Sequence, residues 1–358
     1  MTFDNQEELY KIARIFSDAR LVLRIKVDDS KSIFKLNRKF GASVPDALNL
    51  LEIAKKLNLN VVGISFHVGS NCESVDPYVN AIKDAKLVFA YGQSLNFDMQ
   101  ILDIGGGFPG AVDAKVTFEE IAEAISQTID QLFPPSLVDG LRIIAEPGTY
   151  YVESSSTLVT QVISRRELHL KPDEIAINKQ RVLEKGLFCP AKRLRSKPST
   201  WANNAVELEK NSCVDYQREL MYYLNDGLFG SFLCIQFGNW FKLPEPFYTS
   251  LINDAAVPAD EITRQDQTYV QSVLWGPTCD QTDLICDSVL MPELNVGDFI
   301  IFRKIGAYTN ALATRFNGFP LASFRHQMSE STLSTLKTSP HWPELEQILC
   351  EEESTQNV

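Results

Sequence analysis

Three apolar runs end in small and polar residues of the kinds that grip ligands. In Ile101–Gly110, ILDIGGGFPG, the run ends in Gly105, Gly106 and Gly107. Backbone N–H groups without side chains beside them can close on a phosphate, but a tight strand-to-helix turn explains the three glycines equally well. The run is not the spaced GxGxxG of a dinucleotide fold, and no acidic residue follows in the right strand context, which disfavours a nicotinamide cofactor. In Val61–Ser70, VVGISFHVGS, the end carries His67, Gly69 and Ser70, a flat ring beside a small hydroxyl; a lone histidine there is more often structural. In Arg142–Tyr151, RIIAEPGTYY, Glu146 is held by Pro147 and Gly148. Its carboxylate either balances a cationic ring nitrogen or caps a turn.

A stacking ring, a phosphate nest and a fixed carboxylate together suit pyridoxal phosphate, whose protonated pyridine is an electron sink for a carbanion. Two later stretches add polar groups. WGPTCDQTD, Trp275–Asp283, sets Cys279 on a turn beside Asp280, and GAYTNA, Gly306–Ala311, presents Tyr308. Cys279 is open to a role as acid or nucleophile, yet an isolated cysteine is usually a buried small thiol, and residue type alone favours that.

Those groups need a scaffold, and the hydrophobic pattern supplies one. Non-alternating runs at Leu21–Val27, Val61–Val68, Ile101–Ile104 and Arg142–Ala145 recur at a regular interval and predict buried strands. Between them, Thr117 and Glu120 make a capping box, after which Phe118, Ile121, Ile125 and Leu132 share a helix face; Ala47, Leu51 and Ala54 do so after Ser43. Parallel strands covered by helices mean a doubly wound sheet or a (β/α)₈ barrel, and both bind ligands at the C-terminal strand ends. After Ser155 the runs Thr157–Ser164, Met221–Leu224, Ser231–Gln236, Tyr269–Leu274 and Phe299–Lys304 predict a second, largely antiparallel β domain. The expected division is residues 1–155, then 156–328 with an inserted loop at 168–219, then a flexible acidic tail at 329–358. The basic run Lys192, Arg193, Arg195 and Lys197 lies in that loop and reads as a solvated segment.

Composition bounds the class. With 358 residues, 44% apolar and 22% charged, the chain is long enough for two domains and unlike disordered, collagenous or solenoid sequences. No stretch reaches the roughly 18 consecutive apolar residues of a membrane span, and MTFDNQEEL does not read as a signal peptide. The net charge of −12 gives nucleic-acid binding no support. Seven cysteines without a CxxC pair argue against a disulfide framework or a thiolate zinc site, so no metal and a cytoplasmic location are expected.

The ordered motifs MTFDNQEEL, LVLRIKVDDSKS, KFGAS, VVGISFHVGS, LDIGGGFPG, IIAEPGTYY, YYLNDGLFGSF, LWGPTCD, LNVGDF, GAYT and FNGF resemble the eukaryotic ornithine decarboxylase family, antizyme inhibitors included, from Met1 to about Phe319. The resemblance implies an alanine-racemase-like (β/α)₈ barrel of the TIM type, followed by an antiparallel β domain, and a homodimer with shared active sites. It implies that His67 stacks on pyridoxal phosphate, that Ser70, Gly105, Gly106, Gly107, Gly148 and Tyr308 surround its phosphate, and that Glu146 pairs with the ring nitrogen. It further implies that Cys279 and Asp280 face the substrate from the partner chain, Cys279 returning a proton after CO₂ leaves, with Phe316 lining the pocket. Lys39 and Asp283 match a pair that joins subunits.

The chain also departs from that pattern. Family members carry, ahead of the MTFD segment, a strand whose lysine bonds to the cofactor; no counterpart is found here, so only about five βα units and a partial barrel are expected. The EPG motif of active decarboxylases continues with an arginine, here Thr149; a lost charge-assisted phosphate contact costs on the order of 2–3 kcal/mol. Where active enzymes carry Tyr-Asp to hold a distal amine, Phe237 and Gly238 stand, and Phe229 replaces a tyrosine. The resemblance thus implies decarboxylation of a small amino acid in putrescine synthesis, with activity of this chain in question. The alternative is an inactive regulator that binds antizyme.

Overall fold

The structure, a computed structural model, describes residues 1–111, 114–134, 140–185, 214–237, 243–248 and 268–347. Its first sheet is built from short parallel strands: β1 (Thr2–Phe3), β2 (Arg20–Arg24), then, beyond the separate strand β3 (Ser32–Phe34), β4 (Asn60–Ser65). Past β5 (Ser70–Cys72), which pairs antiparallel with β3, come β6 (Ile101–Asp103) and β7 (Arg142–Ile144). The order across the sheet is β1-β2-β4-β6-β7, all parallel, with β1 and β7 at the edges. This is the expected partial barrel. Each predicted strand ends earlier than the apolar run, so that Val27, His67 and Val68, Ile104 and Ala145 fall in the loops that follow.

Helices return the chain between strands, and each start is chemically marked. Asn5 accepts from Glu8 N at 2.9 Å ahead of α1 (Gln6–Ile15), and Ser43 caps α2 (Val44–Lys56). Asp76 opens α3 (Asp76–Ser94), and Thr117 and Glu120 form the capping box of α4 (Phe118–Leu132). Ala47, Leu51, Ala54, Ile121 and Ile125 are buried with Leu21, Leu23, Val61, Ile64 and Leu102 in one core, while Phe118 and Leu132 pack against its side. A short helix α5 (Gly148–Val152) closes this part.

The second sheet combines β8 (Thr157–His169), β9 (Val214–Leu224), β10 (Pro244–Phe247), β11 (Tyr269–Trp275), β12 (Leu284–Pro292) and β13 (Phe299–Arg303) in the order β10-β13-β8-β9-β11-β12. Every pairing is antiparallel except β9 with β11. Its core holds Val162, Tyr222, Phe232, Leu274, Met291 and Phe302. Two expectations need correction. The expected strand Ser231–Gln236 is a 3-10 helix over Leu233–Phe237, because Asp226 Oδ1 takes the N–H groups of Gly227 and Ser231, and Gly227 O takes those of Gly230 and Phe232. A local turn has consumed the donors that a ladder needs. The inserted loop 168–219 is not loop at either end: β8 runs to His169, α6 (Pro172–Lys185) follows, and β9 begins at Val214. Its basic run lies outside the described residues. Strands β10 and β12 were not anticipated.

The chain divides into units Met1–Phe319 and Pro320–Val358. In the second, Ser329 Oγ accepts from Thr332 N at 3.1 Å and starts α7 (Glu330–Lys337), so helix stands where a loose tail was expected. No helix among the described residues is long and apolar enough to cross a membrane.

Candidate active site

The glycine run is set by close approach of backbones. At Gly105, with φ +62°, a Cβ would lie 2.2 Å from Phe66 O; at Gly107, with φ +104°, it would lie 2.4 Å from Gly69 O. A Cβ on Gly106 would meet Glu146 O at 2.6 Å and His67 Nε2 at 3.0 Å. The tight-turn reading of the three glycines therefore holds. The turn needs them for packing, and it leaves the Gly106 and Gly107 amides with no acceptor among the described residues. Four anchors hold the turn: Gly105 N to Asp103 Oδ1 at 2.9 Å, Glu146 N to Gly105 O at 2.8 Å, Cys72 N to Gly107 O at 3.0 Å, and Tyr78 Oη to Gly106 O at 3.3 Å. Tyr78, Phe108, Phe118 and Tyr150 continue this support as successive ring contacts, reaching α5 beneath Glu146. Gly148 differs from the others: a Cβ there meets nothing within 4 Å.

His67 is half-buried above this turn and accepts from Gly69 N at Nδ1, 3.1 Å away. Burial, with Arg24 adding to it, holds its imidazole neutral down to about pH 4. The register aligns Arg24, Ser65 and Asp103 side by side at the ends of β2, β4 and β6, so one cation, one hydroxyl and one carboxylate share a face. Burial raises the carboxyl of Asp103. It also raises that of Glu146, where the Asp103 charge acts in the same direction and Arg24 opposes both. Arg24 Nη2 and Ser65 Oγ are buried with no partner among the described residues. The sequence reading missed these three residues. Their signal was present, a polar residue inside each apolar run.

Ser70 pairs in register with Phe34, and the ring of Phe34 lies 6.4 Å from that of Tyr308. Tyr308, at φ +54°, follows a segment packed hard on α5, where a Cβ on Gly306 would overlap Val152 O. His67, Gly105, Gly106, Gly107 and Glu146 thus lie against one another in the loops that follow β4, β6 and β7, with Ser70 in β5 and Tyr308 linked to it through Phe34. Bare amides, a neutral flat ring, a hydroxyl and a carboxyl whose charge is tuned by neighbours fit the phosphate, ring and ring nitrogen of pyridoxal phosphate. Among the described residues no group of three His, Cys, Asp or Glu could hold a metal.

The other candidates cluster in the loops of the second sheet. Cys279 is exposed, which corrects the buried thiol favoured from residue type; the cysteines enclosed among the described residues are Cys72, Cys234 and Cys286. Asp280 Oδ1 accepts from Thr282 N and Oγ1 at 2.8 and 2.7 Å, which lowers its carboxyl. Asp283 is 1% exposed and accepts from Leu228 N, Thr278 N and Thr278 Oγ1 at 2.7–2.9 Å. Both of its oxygens are therefore engaged within the chain. Lys39 lies 5.0 Å above the ring of Phe40. Phe316 packs on Phe229, ring centres 4.3 Å apart, and Asn317 beside it donates from Nδ2 to Cys279 Sγ at 3.3 Å. Phe237 ends the 3-10 helix, and Gly238 lies outside the described residues.

A parallel βα mouth joined to a β sheet, with a phosphate nest and a tuned carboxyl, defines a two-domain pyridoxal-dependent decarboxylase class. Residues 1–153 match the family described as pyridoxal-dependent decarboxylase, pyridoxal binding domain, and residues 149–306 match its C-terminal sheet domain. The chain is 40% identical over 339 residues to ornithine decarboxylase of Rattus norvegicus, spanning 94% of this chain and 62% of that protein. It is 40% identical over 328 residues to antizyme inhibitor 2 of Xenopus laevis, spanning 92% of this chain and 61% of that protein. Among solved structures, the arginine decarboxylase of Paramecium bursaria Chlorella virus superposes with a TM-score of 0.66 at 32% identity, over 89% of this chain and 70% of that one. The chain belongs to the eukaryotic ornithine decarboxylase family, whose cofactor is pyridoxal phosphate. It spans about three fifths of the length of the curated relatives just named.

Proposed function

We propose that the protein is a pyridoxal-phosphate-dependent decarboxylase of a small amino acid, in polyamine synthesis or a substrate-shifted branch of it. The observation that carries this reading is the pair of unaccepted amides of Gly106 and Gly107 in a turn where Gly106 lies against the Glu146 backbone and the neutral ring of His67. Pyridoxal phosphate, when bound, supplies a ring that accepts the electron pair left as CO₂ departs. The Gly106 and Gly107 amides, Ser70 and Tyr308 bind the phosphate, His67 stacks on the ring, and Glu146 keeps a proton at the ring nitrogen. Gly148 closes the same rim. Cys279 Sγ returns a proton to the substrate Cα, Asp280 orients the substrate, and Phe316 with Phe237 and Gly238 lines a wall short of acidic groups, which suits an apolar side chain better than a diamine. A cytoplasmic homodimer with shared sites fits the reading.

The test is the intact mass of the native protein after borohydride reduction, with CO₂ release assayed from ornithine, lysine, arginine and leucine. A phosphopyridoxyl adduct with release from one of the four supports the proposal; no adduct and no release from any overturns it. The second reading, a regulator that binds antizyme, is favoured by the 40% identity to antizyme inhibitor 2 and by Thr149, buried where the resemblance implies a phosphate-gripping arginine. Antizyme that fails to retain the protein above a control removes it.

A further inference from the structure

Two separate loops of the second sheet are tied together at a sulfur atom. The first, residues 276–283, is rigidly organised: Gly276 N donates to Asp283 O at 2.8 Å, and the Asp283 carboxylate holds Thr278 by both its amide and its hydroxyl. Cys279 stands at the outside of that turn. The second, residues 314–318, is held to the loop before the 3-10 helix. Thr314 donates to Phe229 O from N at 2.8 Å and from Oγ1 at 2.9 Å, and Phe316 packs on the Phe229 ring. Asn317 then adopts φ +54°, and Gly318 follows at φ +79°. That left-handed step, accessible to Asn and Gly but strained for other residues, brings the side-chain amide of Asn317 to 3.3 Å from Cys279 Sγ.

We propose that Asn317 is a positioning residue for the Cys279 thiol: its Nδ2–H fixes the direction of Sγ. The inference rests on the reading of Cys279 as the proton donor. A thiol held in one direction by an N–H donor presents its sulfur, and delivers its proton, to one place. Asn317 and Cys279 are both exposed, so the contact adds little to fold stability and its effect is on the sulfur.

The experiment is alkylation of the 358-residue chain by iodoacetamide at pH 7.5, with Cys279 followed by peptide mass. The buried Cys72, Cys234 and Cys286 serve in the same digest as reporters of unfolding. Asn317→Gly keeps the left-handed step and removes the donor; Asn317→Asp keeps the shape and replaces the donor with an acceptor. Expected are a slowing of about threefold for Asn317→Gly and about tenfold for Asn317→Asp, with the buried cysteines unmoved. Rates within a factor of about 1.5 of the parent in both variants overturn the proposal. So does a slowing in Asn317→Ala that Asn317→Gly does not share, which would leave only the backbone step to explain it. If the slowing is found and Cys279→Ser nonetheless releases CO₂ at the parent rate, the positioning stands and the proton-donor reading falls.

Discussion

Replacing Gly106 with alanine isolates the phosphate nest from the rest of the fold. Its φ is unexceptional, so alanine adds no backbone strain, only a Cβ placed 2.6 Å from Glu146 O and 3.0 Å from His67 Nε2. An ordinary contact is at 3.4 Å or more. The turn and the Glu146 carbonyl must therefore part by about 0.8 Å, and neither side is the free end of a flexible chain. Because Glu146 N is bonded to Gly105 O, the shift is passed to the two amides beside it. Loss of one charge-assisted amide-to-phosphate contact costs about 1.5–3 kcal/mol, so pyridoxal phosphate should bind about 10–100-fold more weakly. The assay is a fluorescence titration with pyridoxal phosphate, run beside a melting curve. Gly148→Ala is the companion variant. Its Cβ meets nothing, so the fold is untouched, and binding weakens there only if the cofactor itself lies against it. Gly106→Ala binding within twofold of the parent would refute the placement of the phosphate.

Burial holds His67 neutral down to about pH 4, whereas the unfolded chain protonates it near 6.5. Its contribution is complete above pH 6.5 and is lost as pH falls toward 4, about 2 kcal/mol of it by pH 5. His67→Gln should remove that loss in urea titrations; Asp103 and Glu146, raised in the folded state, act with opposite sign, so the difference between parent and variant is the quantity to compare. Arg24→Met should raise both carboxyls further, seen as protonation at higher pH in carboxyl-labelled NMR, and unchanged titrations would separate Arg24 from them. Asp283→Ala strips the acceptor from two amides and a hydroxyl and should cost about 3 kcal/mol, lowering the melting temperature by roughly 6–12 °C. An unchanged melting temperature with altered sedimentation would instead assign Asp283 to a subunit contact.

The parallel half of the fold was legible because its strands lie in continuous apolar runs, β4 being buried beyond its first residue, and each helix carries its own start signal; β7, expected to be buried, is instead largely exposed at the sheet edge. Thr117 with Glu120 needed no tertiary information to be read, and Ile121 and Ile125 fell into the core as their spacing required. The sheet half was less legible for a matching reason. The segment Ser231–Gln236 has the residues of a strand, but Asp226 Oδ1 takes the Ser231 amide and Gly227 O that of Phe232, and a 3-10 helix follows. No local pattern reports a side chain competing for backbone donors. The β10 and β12 strands were hidden differently, one by its two prolines and the other by Asp287 and Ser288 interrupting its apolar run.

At the site, residues visible at once were those whose type is unusual at a strand end: three glycines, a histidine, a glutamate before Pro-Gly. Arg24, Ser65 and Asp103 were passed over because each is unremarkable in its own run. Only register brings them into one row, and register is a property of pairs of strands. The electrostatic consequence follows from that row. Asp103 beside Glu146 makes a second negative charge costly, and Arg24 relieves that cost with a guanidinium that still has one nitrogen unpaired. A cationic ring nitrogen arriving at Glu146 would be a second relief of the same kind. On the proposed reading, the charge balance of Asp103, Glu146 and Arg24 favours a protonated ring, and the second carboxylate takes part in cofactor recognition.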